Sequence, residues 1–285
     1  MSTPYYLMRA RDPDCMVQPS YVQWVVDGVP DDTGVRYTGA RCGVSPLEDI
    51  SYVLLGELLT PLDLGPSILQ FYEASLVTET LGRVSAITDQ GTAARNYTQG
   101  TAARRPVREL TGGPKGTPAI NFTGASQEWL SASMSSLSII EGETYHVIRM
   151  KEDPSTAPTG SGGLFQYGFG NTYHPDTAGV TYDSSLSDRS HNLGNLAFDL
   201  TDWHLWNPRS ASGAWSAYLN GALVGGPNGN FPTLTNPQYL GTLSTGAVSM
   251  NGYWCCSFTT NRILTPAERE AYIYDWARVR YGLTI

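Results

Sequence analysis

From Ser67 onward no apolar run in this 285-residue chain outlasts a strand before Gly, Asn, Ser or Thr interrupts it. That rhythm admits few folds, because many short strands with regularly spaced turns describe a β-sandwich or barrel. Trp215-Ser-Ala-Tyr-Leu-Asn-Gly-Ala-Leu-Val224 shows it most clearly. Trp215, Ala217 and Leu219 share one face of a strand, and Asn220-Gly221 tolerates the positive φ angles of a type I′ hairpin turn. Tyr145–Met150 and Leu164–Gly170 have the aromatic and β-branched content of further strands. No repeat of 20–50 residues is evident, which disfavours a propeller or solenoid.

Composition agrees. Only 15% of residues are charged, against about a quarter in an average domain. That low charge, together with 11% aromatic residues, excludes a disordered chain. A net charge of −8 argues against nucleic acid as a partner, since a phosphate backbone calls for a basic stripe. The charge is uneven: residues 1–66 carry nine acids and four arginines, or −5, and 67–285 carry the remaining −3. This asymmetry suggests a separate N-terminal segment, 1–66, ahead of a main domain, 67–285. Within the segment, Tyr21-Val-Gln-Trp-Val-Val26 before Asp27-Gly28 reads as a strand entering a turn, and 50–59 as a strand or short helix. Of the 18 basic residues only Lys115 and Lys151 are lysine. Protein interfaces and genome composition both account for that bias.

The N-terminus lacks the apolar core of a signal peptide, and Ser51–Leu59 is too short to span a membrane. Cys15 and Cys42 can pair in principle, whereas Cys255 and Cys256 are adjacent and on a regular strand point to opposite faces. All four are expected to be reduced and packed as small apolar groups. Thr265-Pro-Ala-Glu268 is a capping box with proline at the first helical position, and it opens a helix whose Tyr272, Ile273, Trp276 and Val279 form an apolar stripe. Gly282 supplies the stop.

Several segments together resemble a laminin-G-like, concanavalin A-like jelly roll. Leu69-Gln-Phe-Tyr-Glu-Ala-Ser75 resembles its opening strand, followed by Gly82–Gly91 and the Arg104-Arg-Pro-Val107 step. Gly116-Thr-Pro-Ala-Ile-Asn-Phe-Thr-Gly124 is similar to the family's G-x-P-x-V-x-F-D-G strand, with Thr123 in place of Asp. Thr260-Asn-Arg-Ile-Leu-Thr-Pro-Ala-Glu-Arg-Glu270, running on to Arg280-Tyr-Gly-Leu283, resembles the closing Y-N-R-x-L-(T/S)-x-x-E segment, with Thr260 in place of Tyr. Cys255-Cys256 stands where an Ala-Glu pair is common. The resemblance implies an all-β antiparallel sandwich with one C-terminal helix across its outside.

The fold hosts lectins, glycosidases, adhesion modules and virion proteins, so it implies function less sharply. Similar domains with unrelated N-terminal extensions occur in tailed-bacteriophage particles. The expectation is therefore a non-enzymatic virion structural protein, a capsid-decoration or tail component made in the host cytoplasm. Residues 1–66 would attach it to other virion proteins, and the chain is expected to be a homo-oligomer without nucleic-acid or membrane partners. The alternative is a carbohydrate-binding or adhesion module for a host surface glycan.

The candidate chemistry is sparse. A glycosidase needs two carboxylates on one face. The close pairs Glu141-Gly142-Glu143 and Glu152-Asp153 read instead as solvated strand ends. Asp176, Asp183 and Asp188 can supply oxygen ligands to Ca²⁺, though without EF-hand spacing, and turn residues of this kind are ordinarily just solvated. His146, His174, His191 and His204 show no ligand spacing, and no cofactor is expected. Arg95, Arg104, Arg105 and Arg108 read as packing and local ion pairs. Among Trp129, Tyr167, Tyr173, Tyr182, Trp203, Trp206 and Trp215, the residues taken as candidate glycan or partner contacts are Tyr173, Tyr182, Trp203 and Trp206.

Overall fold

Strand Gly252–Thr260 organises the molecule. The computed structural model describes residues 58–285 except 136, 153–162, 167–171, 175–178, 235 and 244–248. Cys15, Cys42, the strand expected at 21–26 and most of the element expected at 50–59 lie outside the described residues. On one side Gly252–Thr260 pairs antiparallel with Glu141–Met150. On the other it pairs with two short strands end to end, Ala119–Phe122 against its first part and Ile68–Glu73 against its last. His204–Ala211, Ala214–Leu219 and Ala222–Asn228 extend this sheet at one edge, and Val107–Glu109 closes the other.

The second sheet runs in the order His191–Gly194, Thr181–Asp183, Thr172–Tyr173, Gly163–Gln166, Gln238–Leu240, Leu130–Ala132, Tyr97–Thr98, Arg83–Ile87, Val77–Thr80. Its pairings are antiparallel as well. Period-two alternation sends Tyr72, Ile120, Phe122, Ile148, Trp206, Trp215 and Trp254 inward, where they meet Val84, Ile87, Tyr97, Leu130, Phe165 and Leu240 of the facing sheet. The molecule is thus the all-β antiparallel sandwich expected, and the Asn220-Gly221 turn has both residues at positive φ.

The opposite face of the first sheet carries a helix. Phe71 and Phe258 pack on Trp276 of the C-terminal helix, with ring centroids 6.2 and 6.0 Å away. Thr265 caps that helix as read from the sequence: its hydroxyl accepts from Glu268 N at 3.2 Å, and the Glu268 carboxylate accepts from Thr265 N at 2.9 Å. The middle of the helix, Arg269–Tyr274, winds as a π-helix. Its buried stripe is Arg269, Ile273, Trp276, Ala277 and Tyr281, while Tyr272 and Val279, expected in it, are only half-buried. Gly282 ends it in the left-handed conformation. Lys115 also braces its end, donating to Val279 O at 2.9 Å.

Three expectations need correction. The compact unit begins at Leu59, so 59–66, read with the N-terminal segment, belongs to the sandwich unit. There Asn261 donates to Pro66 O, and Arg262 donates to Ser67 Oγ. Cys255 and Cys256 do not simply alternate: the register slips between Trp254 and Cys256, making Cys255 the extra residue of a bulge. Both free thiols then lie in the field of Arg280, and burial pushes both upward, Cys256 to about 12. Finally, Glu143 is not at a solvated end. It is fully buried beneath the helix, accepting from Leu264 N at 2.6 Å and Arg269 Nε at 3.1 Å, with Arg209 Nε at 3.4 Å.

Candidate functional site

Among the described residues the helix packs on the Cys256–Thr260 half of the outer face, and Tyr253 in the Gly252–Trp254 half stays half-buried. Because Ile120, Ile148 and Trp254 point inward, their neighbours Asn121, Arg149 and Tyr253 point outward. The register aligns Tyr253 with Asn121 on one side and Arg149 on the other. Trp203, just before strand His204–Ala211, completes the row, with its ring centroid 6.3 Å from that of Tyr253.

This strip is built from cations and rings. The Arg149 guanidinium carbon lies 4.6 Å from the Tyr253 ring centre and 5.2 Å from that of Trp203. Lys151 Nζ lies 5.2 Å from the Tyr253 ring centre. It also donates to Asn121 Oδ1 at 2.6 Å and Phe122 O at 3.2 Å. Asn121 Nδ2 in turn donates to Glu109 Oε1 at 2.6 Å. Burial draws the Lys151 ammonium below its ordinary value, with Glu128 and Glu109 opposing. Asn121, Arg149, Lys151, Trp203, Tyr253 and Glu109 are all half-buried. They are therefore held in place by packing and hydrogen bonds yet remain reachable from solvent.

The four aromatic residues singled out in the sequence do not form one site. Trp203 stands in the strip. Tyr173 and Tyr182 are cross-strand partners on the outer face of the other sheet, edge to face at 6.1 Å. Trp206 is corrected outright: it is fully buried in the core, and its Nε1 donates to Asp183 Oδ2 at 2.8 Å. Trp215 is likewise core, Trp129 packs edge to face on Tyr239, and Tyr167 lies outside the described residues. Tyr253, Arg149 and Lys151 escaped the sequence reading. Their signal was alternation with the inward Trp254 and Ile148.

The aspartates read as calcium ligands are also separated by environment. Asp183 sits between the sheets, accepting from Ser185 N at 2.6 Å as well as from Trp206, and burial raises its carboxyl to about 6. Asp188 is at the surface, paired with Arg189 at 2.9 Å. These two do not fit a shared ion, and Asp176 lies outside the described residues. No group of three His, Cys, Asp or Glu suited to a metal occurs among the described residues.

All four histidines are interior. His174 stacks on His204 at 5.4 Å and meets Trp206 edge to face at 4.7 Å, and His146 stacks on Phe165 at 3.9 Å. Burial holds His146 at about 3 and His204 at about 4, so they are neutral. Of the basic strip, Arg108 pairs with Glu79 at 2.7 Å and Arg105 donates to Gln99 O at 2.8 Å, as local structure. Among the described residues no helix is long and apolar enough to cross a membrane.

No family model and no curated protein matches the sequence. Solved structures match the fold. The receptor-binding domain of botulinum neurotoxin D superposes with a TM-score of 0.52 at 11% identity, covering 77% of this chain and 56% of that one. The type G receptor-binding domain gives 0.50 at 10% identity, covering 75% and 51%. Trypanosoma rangeli sialidase in complex with sialic acid gives 0.50 at 13% identity, covering 76% and 33%. The chain thus spans about a third of the sialidase and about half of the toxin domains. At such identities the likeness establishes the β-sandwich, in accord with a jelly roll, and extends to the fold alone.

Proposed function

We propose that the sandwich is a non-catalytic carbohydrate-binding module that engages its ligand on the Gly252–Trp254 half of its outer face. The observation that carries this reading is the strip Asn121, Tyr253, Arg149, Lys151 and Trp203. It joins aromatic surface, on which the C–H face of a sugar packs, to fixed donors and acceptors for hydroxyl groups. A receptor-binding role for the two toxin domains accords with such use of a sandwich. The non-catalytic part draws support from the buried carboxylates, which have structural work. Glu143 holds Arg269, Asp183 holds Trp206, Glu128 holds Arg83 at 2.8 Å, and Asp89 accepts from Phe71 N, Gly91 N and Arg95 N.

Display on a tailed-phage particle, with residues 1–66 as the attachment segment and the sandwich repeated in a homo-oligomer, is the finer form of the proposal. It rests on the laminin-G-like resemblance in 67–285 and on the acidic character of 1–66. Particles purified without this polypeptide would refute that assignment. The binding reading is tested by presenting the full chain to a glycan array, beside a Trp203→Ala/Tyr253→Ala double variant. Selective binding that the double variant loses, with its near-ultraviolet circular dichroism retained, is the expected result. A flat array for the unmodified chain refutes it.

A further inference from the structure

Among the described residues Arg149 has no protein acceptor, whereas ten other arginines of the sandwich each reach one. Arg83, Arg108, Arg189, Arg209, Arg262, Arg269, Arg278 and Arg280 each reach a carboxylate. Arg95 and Arg105 reach backbone carbonyls. Arg149 lies only against rings, and among the described residues it makes no hydrogen bond or ion pair. Two acids beside the strip are already engaged: Glu109 accepts from Asn121, and Glu152, next to Lys151, accepts from Asn251 at 3.1 Å.

A half-buried guanidinium without protein acceptors can turn its five N–H donors to a ligand in place of water, and its planar fork matches a carboxylate or sulfate. The chain as a whole carries −8, so general attraction does not bring anions here, and a local arrangement must. The rings also discriminate. Tyr253 has two cations within 5.2 Å of its centre, so part of the ring surface a neutral sugar would stack on is occupied. What the strip offers most freely is positive charge held in place by aromatic faces.

We propose that Arg149, with Lys151 beside it, receives the carboxylate or sulfate group of an acidic oligosaccharide, while Trp203 and Asn121 contact the sugar ring. This rests on the carbohydrate reading above and assigns the ligand its charge. Arg149 is then the specificity-determining residue of the strip.

The test uses calorimetric titration of the full chain with probes paired by charge. Oligogalacturonate is set against its methyl ester, and a sulfated dextran oligomer against the unsulfated one, each at low and at physiological salt. The acidic member should bind at least about tenfold more tightly, with the advantage shrinking as salt rises. Arg149→Gln should abolish the preference, and Arg149→Lys should restore only part of it, because an ammonium lacks the fork. Thermal melts of both variants separate loss of binding from loss of fold. Equal affinity for both members of each pair, or a preference that survives Arg149→Gln in a folded protein, overturns the proposal and leaves the carbohydrate reading standing. Binding to no probe, charged or neutral, overturns both. A preference for the carboxylated pair alone or the sulfated pair alone supports the proposal and identifies which anion is read.

Discussion

Glu143 shows how a residue can be misread when its neighbour serves an unusual purpose. Glu-Gly-Glu suggests a turn, but Gly142 lies inside strand Glu141–Met150, where a Cβ would sit 2.3 Å from Thr260 O. The glycine permits close approach of two strands rather than a reversal of the chain. Glu143 beside it becomes the anion between Arg209 and Arg269, with Tyr145 Oη also donating to it. Removing one partner from a buried ion cluster leaves the others uncompensated, at a typical cost of about 3–5 kcal/mol. Glu143→Ala should therefore lose stability in that range by urea denaturation. A loss below about 1 kcal/mol, the value of a surface pair, would show that the cluster does not anchor the helix. Trp203 and Trp206 carry a similar lesson. They are three residues apart, so on one strand they must face opposite ways, and parity alone excluded a shared site. Which of the two faced the core depended on the sheet opposite, which no local pattern records.

At the scale of elements, legibility followed the range of the interactions. The hairpin around Asn220-Gly221 and the helix opening at Thr265 were readable because turn and cap chemistry act over a few residues. The cap is also where the Arg262 guanidinium meets Glu268 at 2.5 Å, which lowers the Glu268 carboxyl to about 2. Losing a side-chain cap of this type costs about 1 kcal/mol. Thr265→Ala should lower the unfolding free energy by about that amount and Thr265→Ser by much less, read from the denaturation midpoint at constant m-value. Equal losses for both would assign the threonine's contribution to its methyl group instead. The bulge at Cys255 was not readable, since it arises from the pairing of Gly252–Thr260 with Glu141–Met150, remote in sequence. Sheet order was hidden for the same reason: Ile68–Glu73 and Ala119–Phe122 share one edge of a strand far downstream of both.

For the whole molecule, the placement of neutral histidines between two sheets makes stability depend on pH in a direction that can be worked out. His146, His174 and His204 are held below the ordinary 6.5 by burial, His174 also by the other two, and His191 is lowered to about 4. Below about pH 6.5 the unfolded chain takes up protons that the folded sandwich refuses. Each fully buried histidine thus removes about 1.4 kcal/mol of stability per pH unit until its folded value is reached. Asp183 acts oppositely. Its carboxyl is raised from 3.8 to about 6, so the folded state holds the extra proton in between and gains as pH falls. Asp89, also raised by burial, adds to that opposing side. Glu268 loses its contribution only below its unfolded value of 4.5, outside this window. Between about pH 7 and pH 5 the histidines outweigh the carboxyls. The melting temperature should fall across that range, and His204→Gln should flatten the fall. Circular dichroism melts at several pH values check this. A melting temperature that stays level or rises on acidification would mean that the interior imidazoles take up protons in the folded state, and that the sandwich admits water where its packing says it does not.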